Sequence, residues 1–443
     1  MRNLIIATYC IIMFVFSTNI YAQRKITLDE AVSIALNQNT DILKSQNSLN
    51  TYKAGIKSAY GNFLPTLSVS SGWSWQRTSD DGGTQIDYFG EEEEIEASET
   101  DSRSYSLSAG GNVTLFDGLS SFANLNQKEN EYEAAKLDLD KLRQDIIYQT
   151  ADYFFTVMSY NKLLEYQEEN YEYNTVLLEQ MEEMKNLNMI SIADFYSQEV
   201  QTANAELSLL EAKANFEKAK ITFLNYLSLD ISEDYVFDLT EEEKQYTQFS
   251  NESFNELYEM ALANRKDYQS KKIELENAEN DLTSARSGYF PTLSGSYRLS
   301  TSAVSPGELL NRRVYSIGLS LSMPIFSGWS TDYSVETAHV GIQNTNEELL
   351  DLERTIKSEV MNVMLDLQTA KKQVEVTEKA IKSAEESWKI KKESYEIGKV
   401  TYIDLQLSYS DLVSAQNNNI QAKYSYYTTN YELMNIIGKL THN

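Results

Sequence analysis

Two aspartates stand out as side chains with a recognisable chemical task, because each follows a hydroxyl residue by three positions at a predicted helix start. The pairs are Ser191 with Asp194 and Thr401 with Asp404, and they lie 210 residues apart. This spacing is the capping-box pattern, in which the hydroxyl and the acid satisfy backbone groups at a helix N-terminus. The helix dipole also favours an acid in the first turn. The spacing therefore predicts two helix starts of similar construction.

Residues that commonly carry catalysis or bind metals are scarce. The single cysteine, Cys10, lies in an N-terminal apolar run that we expect to be removed, and the two histidines, His339 and His442, are far apart. No motif for an activated nucleophile is present, and the many carboxylates on predicted helices are better explained as surface charge. We therefore predict that the protein is not an enzyme and has no metal site and no cofactor.

Residues 1–22 have the pattern of a secretory signal peptide. Arg2 precedes a short apolar run from Leu4 to Phe16, and the small residue Ala22 stands before Gln23. A membrane anchor is the alternative, but a spanning helix needs about 20 apolar residues. The 443-residue chain carries a formal net charge of −28, which disfavours nucleic acid as a partner. No later run approaches the length of a transmembrane helix, so we expect any membrane contact to be made by strands.

An internal repeat organises the remaining chain. Pro65-Thr66-Leu67-Ser68 returns 226 residues later as Pro291-Thr292-Leu293-Ser294, and Phe116-x-Gly118 returns 210 residues later as Phe326-x-Gly328. At each proline a polar, helix-forming run stops and a run that alternates apolar residues with Ser or Gly begins. Pro65 and Pro291 are therefore predicted helix-to-strand switches. The two offsets differ by 16 residues, which the first copy must hold between its two strands.

Each copy is predicted to contain a helix, two strands, a very long helix and a second helix. The first repeat covers residues 23–229 and the second 253–443, joined by an acidic equatorial linker at 230–252. The strands are expected at about 64–76, 104–116, 290–301 and 313–325. The shorter helices are expected at about 27–62, 191–228, 254–288 and 401–438, and the first long helix at 120–187. That helix would be ~100 Å long. Along the long helix of the second copy, Leu352, Ile356, Val360, Val363 and Leu367 step by four and three, as in coiled-coil packing, and the first long helix has matching positions.

These features resemble the TolC-type outer-membrane efflux proteins. The resemblance rests on the order of elements, present twice, on the Pro-Thr-Leu-Ser strand entries, and on the strand exits at Phe116 and Phe326. The segment from Gly398 to Asp404 is also similar to the family's Gly-x-x-x-x-x-Asp turn. Essentially the whole chain after the signal peptide is covered.

The resemblance implies a mainly α fold with a β-barrel part. The protein would be a homotrimer whose four strands per chain close a twelve-stranded outer-membrane barrel, continued by a periplasmic α-helical coiled-coil tunnel. From the strands alone, two, three or four copies are possible, because an open sheet edge cannot face lipid.

The same resemblance implies an exit duct of a tripartite efflux or secretion system. Such a duct passively conducts small molecules or polypeptides from an inner-membrane transporter and a periplasmic adaptor protein to the exterior. Its location would be the outer membrane of a Gram-negative bacterium, extending into the periplasm, with outer-membrane lipid around the strands.

Functional residues are implied at the two turns that end the long helices. In related proteins an acid at the position of Asp404 lines the closed periplasmic aperture, and Asp194 is its counterpart in the first copy. The alternative is that both acids only cap helices. Leu407 stands where some relatives have a second acid, and Val400 where some have an arginine latch, so any latch here uses other contacts. The expected adaptor-docking residues are Asn188, Met189, Ile190, Ser191, Gly398, Lys399, Val400 and Thr401.

Two other functions remain as alternatives. A trimeric structural or adhesive stalk would not need apolar strand faces bracketed by aromatic residues. A general porin without pump coupling would not need helices of ~100 Å. The acidic run Glu91–Glu94 is expected in a solvated loop outside the cell, with a charged channel mouth or a divalent-ion bridge to lipopolysaccharide as the alternative.

Overall fold

The computed structural model describes residues 24–86, 88–238 and 252–441. The predicted signal peptide, residues 1–22, lies outside these ranges. Across the three ranges, no helix combines the length and the apolar character needed to cross a membrane.

The order of elements contains the predicted unit of helix, two strands, long helix and helix twice, and the mainly helical fold with a β part is confirmed. The first copy consists of β1 (Arg24–Ile26), α1 (Leu28–Gln38), α2 (Thr40–Gly61), β2 (Ser68–Asp80), β3 (Gly83–Ile86), β4 (Glu92–Ile95), β5 (Ser98–Phe116), α3 (Ser120–Asn186) and α4 (Ile192–Tyr226). A short strand, β6 (Tyr235–Phe237), precedes the second copy. That copy consists of α5 (Phe254–Asn264), α6 (Lys266–Arg286), β7 (Thr292–Ala303), β8 (Val314–Ser322), α7 (Ser330–Glu396) and α8 (Tyr402–Ile436).

The two copies match in the lengths of their long helices. Helices α3 and α7 have 67 residues each, and α4 and α8 have 35 each. Along α7 the predicted stepping by four and three is confirmed, because Ile356, Val360, Val363 and Leu367 are all buried. A continuous helix with one apolar stripe packs in this way on neighbouring helices.

The helix predicted over residues 27–62 is in fact two helices, because the chain leaves the helical conformation at Asn39 (φ −61°, ψ 125°). The Asn39 side chain accepts hydrogen bonds from the backbone N–H groups two and three residues further on, and so starts α2. The break recurs 226 residues later at Arg265 (φ −63°, ψ 124°), which divides the helix predicted over 254–288. Apolar spacing continues across both breaks, so the sequence pattern does not reveal them.

The main sheet is antiparallel with the order β2–β5–β7–β8, so β2 and β8 are its edges. Strand β2 continues to Asp80, beyond the predicted end at 76, and β5 begins at Ser98 instead of 104. Their extension consists of polar pairs such as Thr78 opposite Thr100. Backbone hydrogen bonding does not require apolar alternation, so the extension has no signal in the sequence.

The additional residues of the first copy form a second small sheet. Strands β3 and β4 pair as an antiparallel hairpin between β2 and β5, whereas β7 and β8 are joined through a short 3₁₀ turn, Pro306–Glu308. The acidic run expected in a solvated loop lies in this connection, where Glu92–Ile95 forms strand β4 and is exposed throughout.

The chain divides into two compact units. One contains α1, α4, α5 and α8 with the parts of α3 and α7 beyond residues 137 and 351; the other contains the main sheet with residues 47–137 and 267–351. In the first unit Phe237 packs against Phe154 and Phe223, with ring centroids 6.2 and 5.4 Å apart. Strand β6 also pairs in parallel with β1. The start of the predicted linker is therefore a packed strand, and residues 239–251 lie outside the described ranges.

Candidate functional site: the two helix turns and the exposed faces

The turns after α3 and α7 have the same backbone construction. Asn188 and Gly398 both adopt the left-handed conformation, with φ of 57° and 74°. In each turn the next residue donates its backbone N–H to a carbonyl five residues earlier: Met189 to Met184, and Lys399 to Ser394. This is the Schellman arrangement, for which glycine or asparagine is suited. Asparagine therefore replaces glycine in the first copy without changing the turn.

The helix that follows each turn begins differently in the two copies. Thr401 forms the full capping box: its hydroxyl accepts from the Asp404 N–H at 3.2 Å, and its own N–H donates to Asp404 Oδ2 at 3.1 Å. The Ser191 hydroxyl instead accepts from the N–H of Ala193 at 3.0 Å. The capping box predicted at Ser191 and Asp194 is therefore wrong, and the one at Thr401 and Asp404 is confirmed.

Asp404 is held ionised by its neighbours. Hydrogen bonds from the Thr401 hydroxyl and backbone N–H lower the pKa of Asp404, and the Lys391 ammonium, 3.8 Å from Oδ1, lowers it further. The carboxylate nevertheless retains about half of its exposure to solvent. Asp404 therefore caps α8 and presents a negative charge at the same time.

Asp194 lies beside tyrosines of the second copy. Burial, with the Asp194 charge as a further cause, raises the pKa of Tyr395. The pKa of Tyr402 is raised mainly by burial, then by Tyr395, Tyr173 and Asp194. The two aspartates are thus equivalent in sequence but face different surroundings.

A buried polar cluster connects the two helix pairs near these turns. Gln198 is completely buried and accepts a hydrogen bond from the Tyr402 hydroxyl at 2.7 Å. Its Nε2 donates to the backbone and side-chain oxygens of Asn174, at 3.0 and 3.1 Å, and Thr202 donates to the same backbone oxygen at 3.1 Å. Sequence reasoning missed this cluster. The one sequence feature that could have indicated it is the pair Gln198 and Thr202, one turn apart on an otherwise apolar helix face.

The surface of the turns is apolar. The exposed large side chains in the first copy are Leu187, Met189 and Ile192, and in the second copy Ile397, Ile403 and Leu407. Of the expected docking residues, Ile190 packs on the buried side chains Leu177, Met181 and Tyr402, and Val400 is half-buried, while the other six are exposed.

The prolines of the two switches lie between helix and strand. Pro65 lies three residues before β2, and Pro291 directly precedes β7. After Pro65, Thr66 donates its N–H to the Asn112 carbonyl and accepts from the Tyr297 hydroxyl. A Cβ on Gly111 would lie 1.6 Å from the Thr66 carbonyl oxygen. Glycine is therefore required where the switch crosses β5.

Strand β8 presents an exposed apolar face. Tyr315, Ile317, Leu319 and Leu321 alternate with Ser or Gly, and Ile317 is 91% and Leu319 74% exposed. Trp73 and Trp75 of β2 are also exposed. Apolar faces of this kind are stable when another apolar phase covers them.

Two helix faces are likewise apolar and exposed. We call the first the α4 stripe: Tyr196, Val200, Ala203, Leu207 and Leu210, spaced by four and three. We call the second the α7 stripe: Met361, Leu365, Val376 and Ile390, whose spacings of four, eleven and fourteen return to one helix face. Such spacing is typical of a coiled-coil contact.

Metal-binding chemistry has little support at the turns. Among the described residues, no group of three or more His, Cys, Asp or Glu side chains is arranged to hold a metal ion.

Comparison with known proteins identifies the family. A sequence profile of the outer membrane efflux protein family matches residues 31–227 and 257–439, that is, both copies of the repeat. No curated protein matches the chain significantly.

Solved structures with a similar fold include three bacterial outer-membrane proteins. The Campylobacter jejuni CmeC outer membrane channel is 17% identical, with 94% of this chain and 86% of that chain covered and a TM-score of 0.79. The Vibrio cholerae outer membrane protein VceC is 14% identical, with 93% and 96% covered and a TM-score of 0.78. The open-state MtrE outer membrane channel of Neisseria gonorrhoeae is 20% identical, with 94% and 90% covered and a TM-score of 0.74. The predicted location in the Gram-negative outer membrane is confirmed, and the chain belongs to the outer membrane efflux protein family.

Proposed function

We propose that the protein is the passive exit duct of a tripartite efflux or secretion system. It would receive small molecules or polypeptides from an inner-membrane transporter through a periplasmic adaptor protein and release them outside the cell. The observation that carries the proposal is the four-stranded sheet with two free edges and an exposed apolar face, in a chain of the efflux family. The duct itself would perform no catalysis.

The free edges support assembly from several copies. Backbone groups on β2 and β8 would be unpaired in lipid, which costs several kcal/mol per group. Pairing β2 of one copy with β8 of the next removes both edges. A contact between two different edges is heterologous and closes into a ring when the rotation permits. Three copies, as the family resemblance implies, would give a barrel of twelve strands.

The packing of the helices is a second, independent argument for assembly from several copies. Helix α3 packs on α4 through Asn174 and Gln198, and on α8 through Phe155 and Tyr431. Helix α8 packs on α7 through Asn419 and Thr377. In this order α4 and α7 are the outer helices, and they bear the two exposed stripes. The α4 stripe of one copy would pack on the α7 stripe of the next.

The test is the mass and shape of the full-length protein in detergent. We expect a trimer for the wild-type protein and loss of the trimer when Leu207 and Leu210 are both replaced by Asp. Asn204→Asp on the same helix, outside the stripe, is the matched control and should remain trimeric. A trimer that survives the double replacement would exclude the α4 stripe as the contact. A wild-type monomer, or a particle much shorter than the long helices, would refute the duct.

For the turns, we propose that their apolar surface receives the adaptor. The candidates are Asn188, Met189, Ile190, Ser191, Gly398, Lys399, Val400 and Thr401, of which Met189 offers the largest exposed apolar side chain. Met189→Asp should reduce co-purification of the cell's adaptor while the trimer persists. Adaptor capture at the wild-type level would argue against docking at the first turn.

We further propose that Asp404 contributes to the pore aperture as well as to the helix cap, with Asp194 as the weaker candidate. Asp404→Asn removes the charge but keeps an oxygen for the cap, whereas Thr401→Ala removes the cap but keeps the charge. If Asp404 lines the pore, divalent-cation block of single-channel current should fall in Asp404→Asn and persist in Thr401→Ala. Unchanged block in Asp404→Asn would leave Asp404 as a helix cap alone.

A further inference from the structure

A groove of about 380 Å³ lies between α3 and α8, away from both helix turns. Asp152, Phe155 and Tyr160 line it from α3, and Tyr424, Ser425 and Thr428 line it from α8. Its volume is within the range of small-molecule sites, about 300 to 1,000 Å³. The groove thus combines one carboxylate with aromatic rings and hydroxyl groups.

The carboxylate in the groove has no cationic partner among the described residues. The Asp152 side chain accepts one long hydrogen bond, 3.4 Å, from Gln149 Nε2. Glu432, one turn beyond the lining residue Thr428 on α8, is half-buried and electrostatically coupled to Asp152. Within the described part of the chain, neither acid forms an ion pair with Lys or Arg. A half-buried carboxylate without a counter-charge is unfavourable.

The surroundings of the two acids are themselves acidic. Burial raises the pKa of Asp152, and burial, Asp366 and Asp152 raise the pKa of Glu432. Burial, with the charges of Glu432 and Asp152, raises the pKa of Tyr148 to about 12. Further along α3, the Lys162 ammonium is paired with Glu165, and on α8 the Lys423 ammonium is paired with Glu378.

We propose that this groove is a binding site for a small organic cation, with Asp152 and Glu432 as its counter-charges and the rings of Tyr160 and Tyr424 as its walls. A protonated amine or a quaternary ammonium group has the charge that the acids lack, and aromatic faces attract such cations. The hydroxyls of Ser425 and Thr428 supply acceptors for an ammonium N–H. The site goes beyond the proposed duct, because it does not depend on the turns, the adaptor or the number of copies.

The sign of the pH dependence follows from the direction of the two pKa shifts. Above the raised pKa values both acids are ionised and attract the cation. As the pH falls through those values, the acids become neutral and the attraction is lost. Asp366 and Tyr148 are coupled to the pair and add no positive charge, and the ammonium groups of Lys162 and Lys423 are paired with Glu165 and Glu378.

The experiment uses benzyltrimethylammonium, whose charge does not change with pH, and the purified full-length protein in detergent. Ligand-observed NMR gives the dissociation constant, and benzyl alcohol serves as the uncharged aromatic comparison. We expect saturable binding of the cation that weakens about tenfold or more in Asp152→Asn. Asp140→Asn is the matched control on the same helix, since Asp140 pairs with Arg143 outside the groove, and it should change affinity less than twofold. Glu432→Gln should weaken binding in the same direction as Asp152→Asn.

Three outcomes would overturn the proposal. They are equal affinity for the cation and benzyl alcohol, unchanged affinity in Asp152→Asn, and affinity that does not fall as the pH is lowered through the raised pKa values of the two acids. Removing an unpaired half-buried charge should not unfold the protein, and an unchanged particle mass for Asp152→Asn verifies this. The trimer and conductance tests of the proposed duct are separate measurements, so either proposal can fail alone.

Discussion

Replacing Tyr402 by phenylalanine is expected to loosen the contact between the two helix pairs near their turns without changing its shape. Tyr402 is 5% exposed, and its hydroxyl donates at 2.7 Å to Oε1 of Gln198, which is completely buried. The Gln198 Nε2 is already committed to Asn174. The substitution therefore leaves Gln198 Oε1 buried without a donor.

The magnitude follows from the cost of that orphaned acceptor. A buried polar group that loses its partner costs about 1 to 3 kcal/mol. The ring of residue 402 stays in place among Leu177 and Met181, so no cavity term is added. If local opening at the turns breaks this contact, the equilibrium constant for opening should be about 5- to 150-fold larger in Tyr402→Phe than in the wild-type protein.

Amide hydrogen exchange measures this opening directly, because exchange reports the free energy of local unfolding. We expect faster exchange in residues 192–205 and 402–412 of Tyr402→Phe, and unchanged exchange in α1. Tyr333→Phe is the control, since Tyr333 lies on α7 outside both stripes and is 75% exposed. Equal exchange in the two variants would refute the assignment of the hydrogen bond as a stabilising contact. Faster exchange throughout the chain would indicate global destabilisation instead.

Two further predictions concern the strand entry and the helix cap. Gly111→Ala should destabilise the protein by about 1 to 3 kcal/mol through overpacking, because its Cβ would collide with the Thr66 carbonyl oxygen. The control in denaturant titrations is Gly341→Ala, whose Cβ would meet no atom within 4 Å. An equal unfolding midpoint in both variants would contradict the close approach at Gly111. Carbon-13 NMR should find the Asp404 carboxyl titrating below the ordinary range of aspartate, so its contribution to stability is present at neutral pH and is lost only as the pH falls through that lowered pKa. In Thr401→Ala the Asp404 pKa should rise towards the ordinary value, and an unchanged titration would show that Thr401 is not the main cause.

The two turns show that copies of an internal repeat can share a backbone conformation and still differ in their side-chain contacts. The exchange of glycine for asparagine at residue 188 preserved the turn, because both residues adopt positive φ readily. The pairs Ser191–Asp194 and Thr401–Asp404 look equivalent, yet only the second forms a capping box. The tyrosines near Asp194 come from the other copy, about 200 residues away in the sequence. A local pattern carries no information about such distant neighbours.

Sequence alone determined the order of elements, their duplication and the buried stripe of α7, because these follow from local periodicity and from residues with restricted backbone conformations. Only the tertiary structure decided the breaks at Asn39 and Arg265, the polar extension of β2 and β5, and the buried cluster around Gln198. The physical reason is that polar hydrogen bonds between distant segments leave no periodic signature, whereas apolar burial does. Asp404 belongs to both categories. Its spacing from Thr401 identified the helix cap, whereas only the structure showed that Lys391 lies 3.8 Å from its carboxylate and that its side chain is 46% exposed.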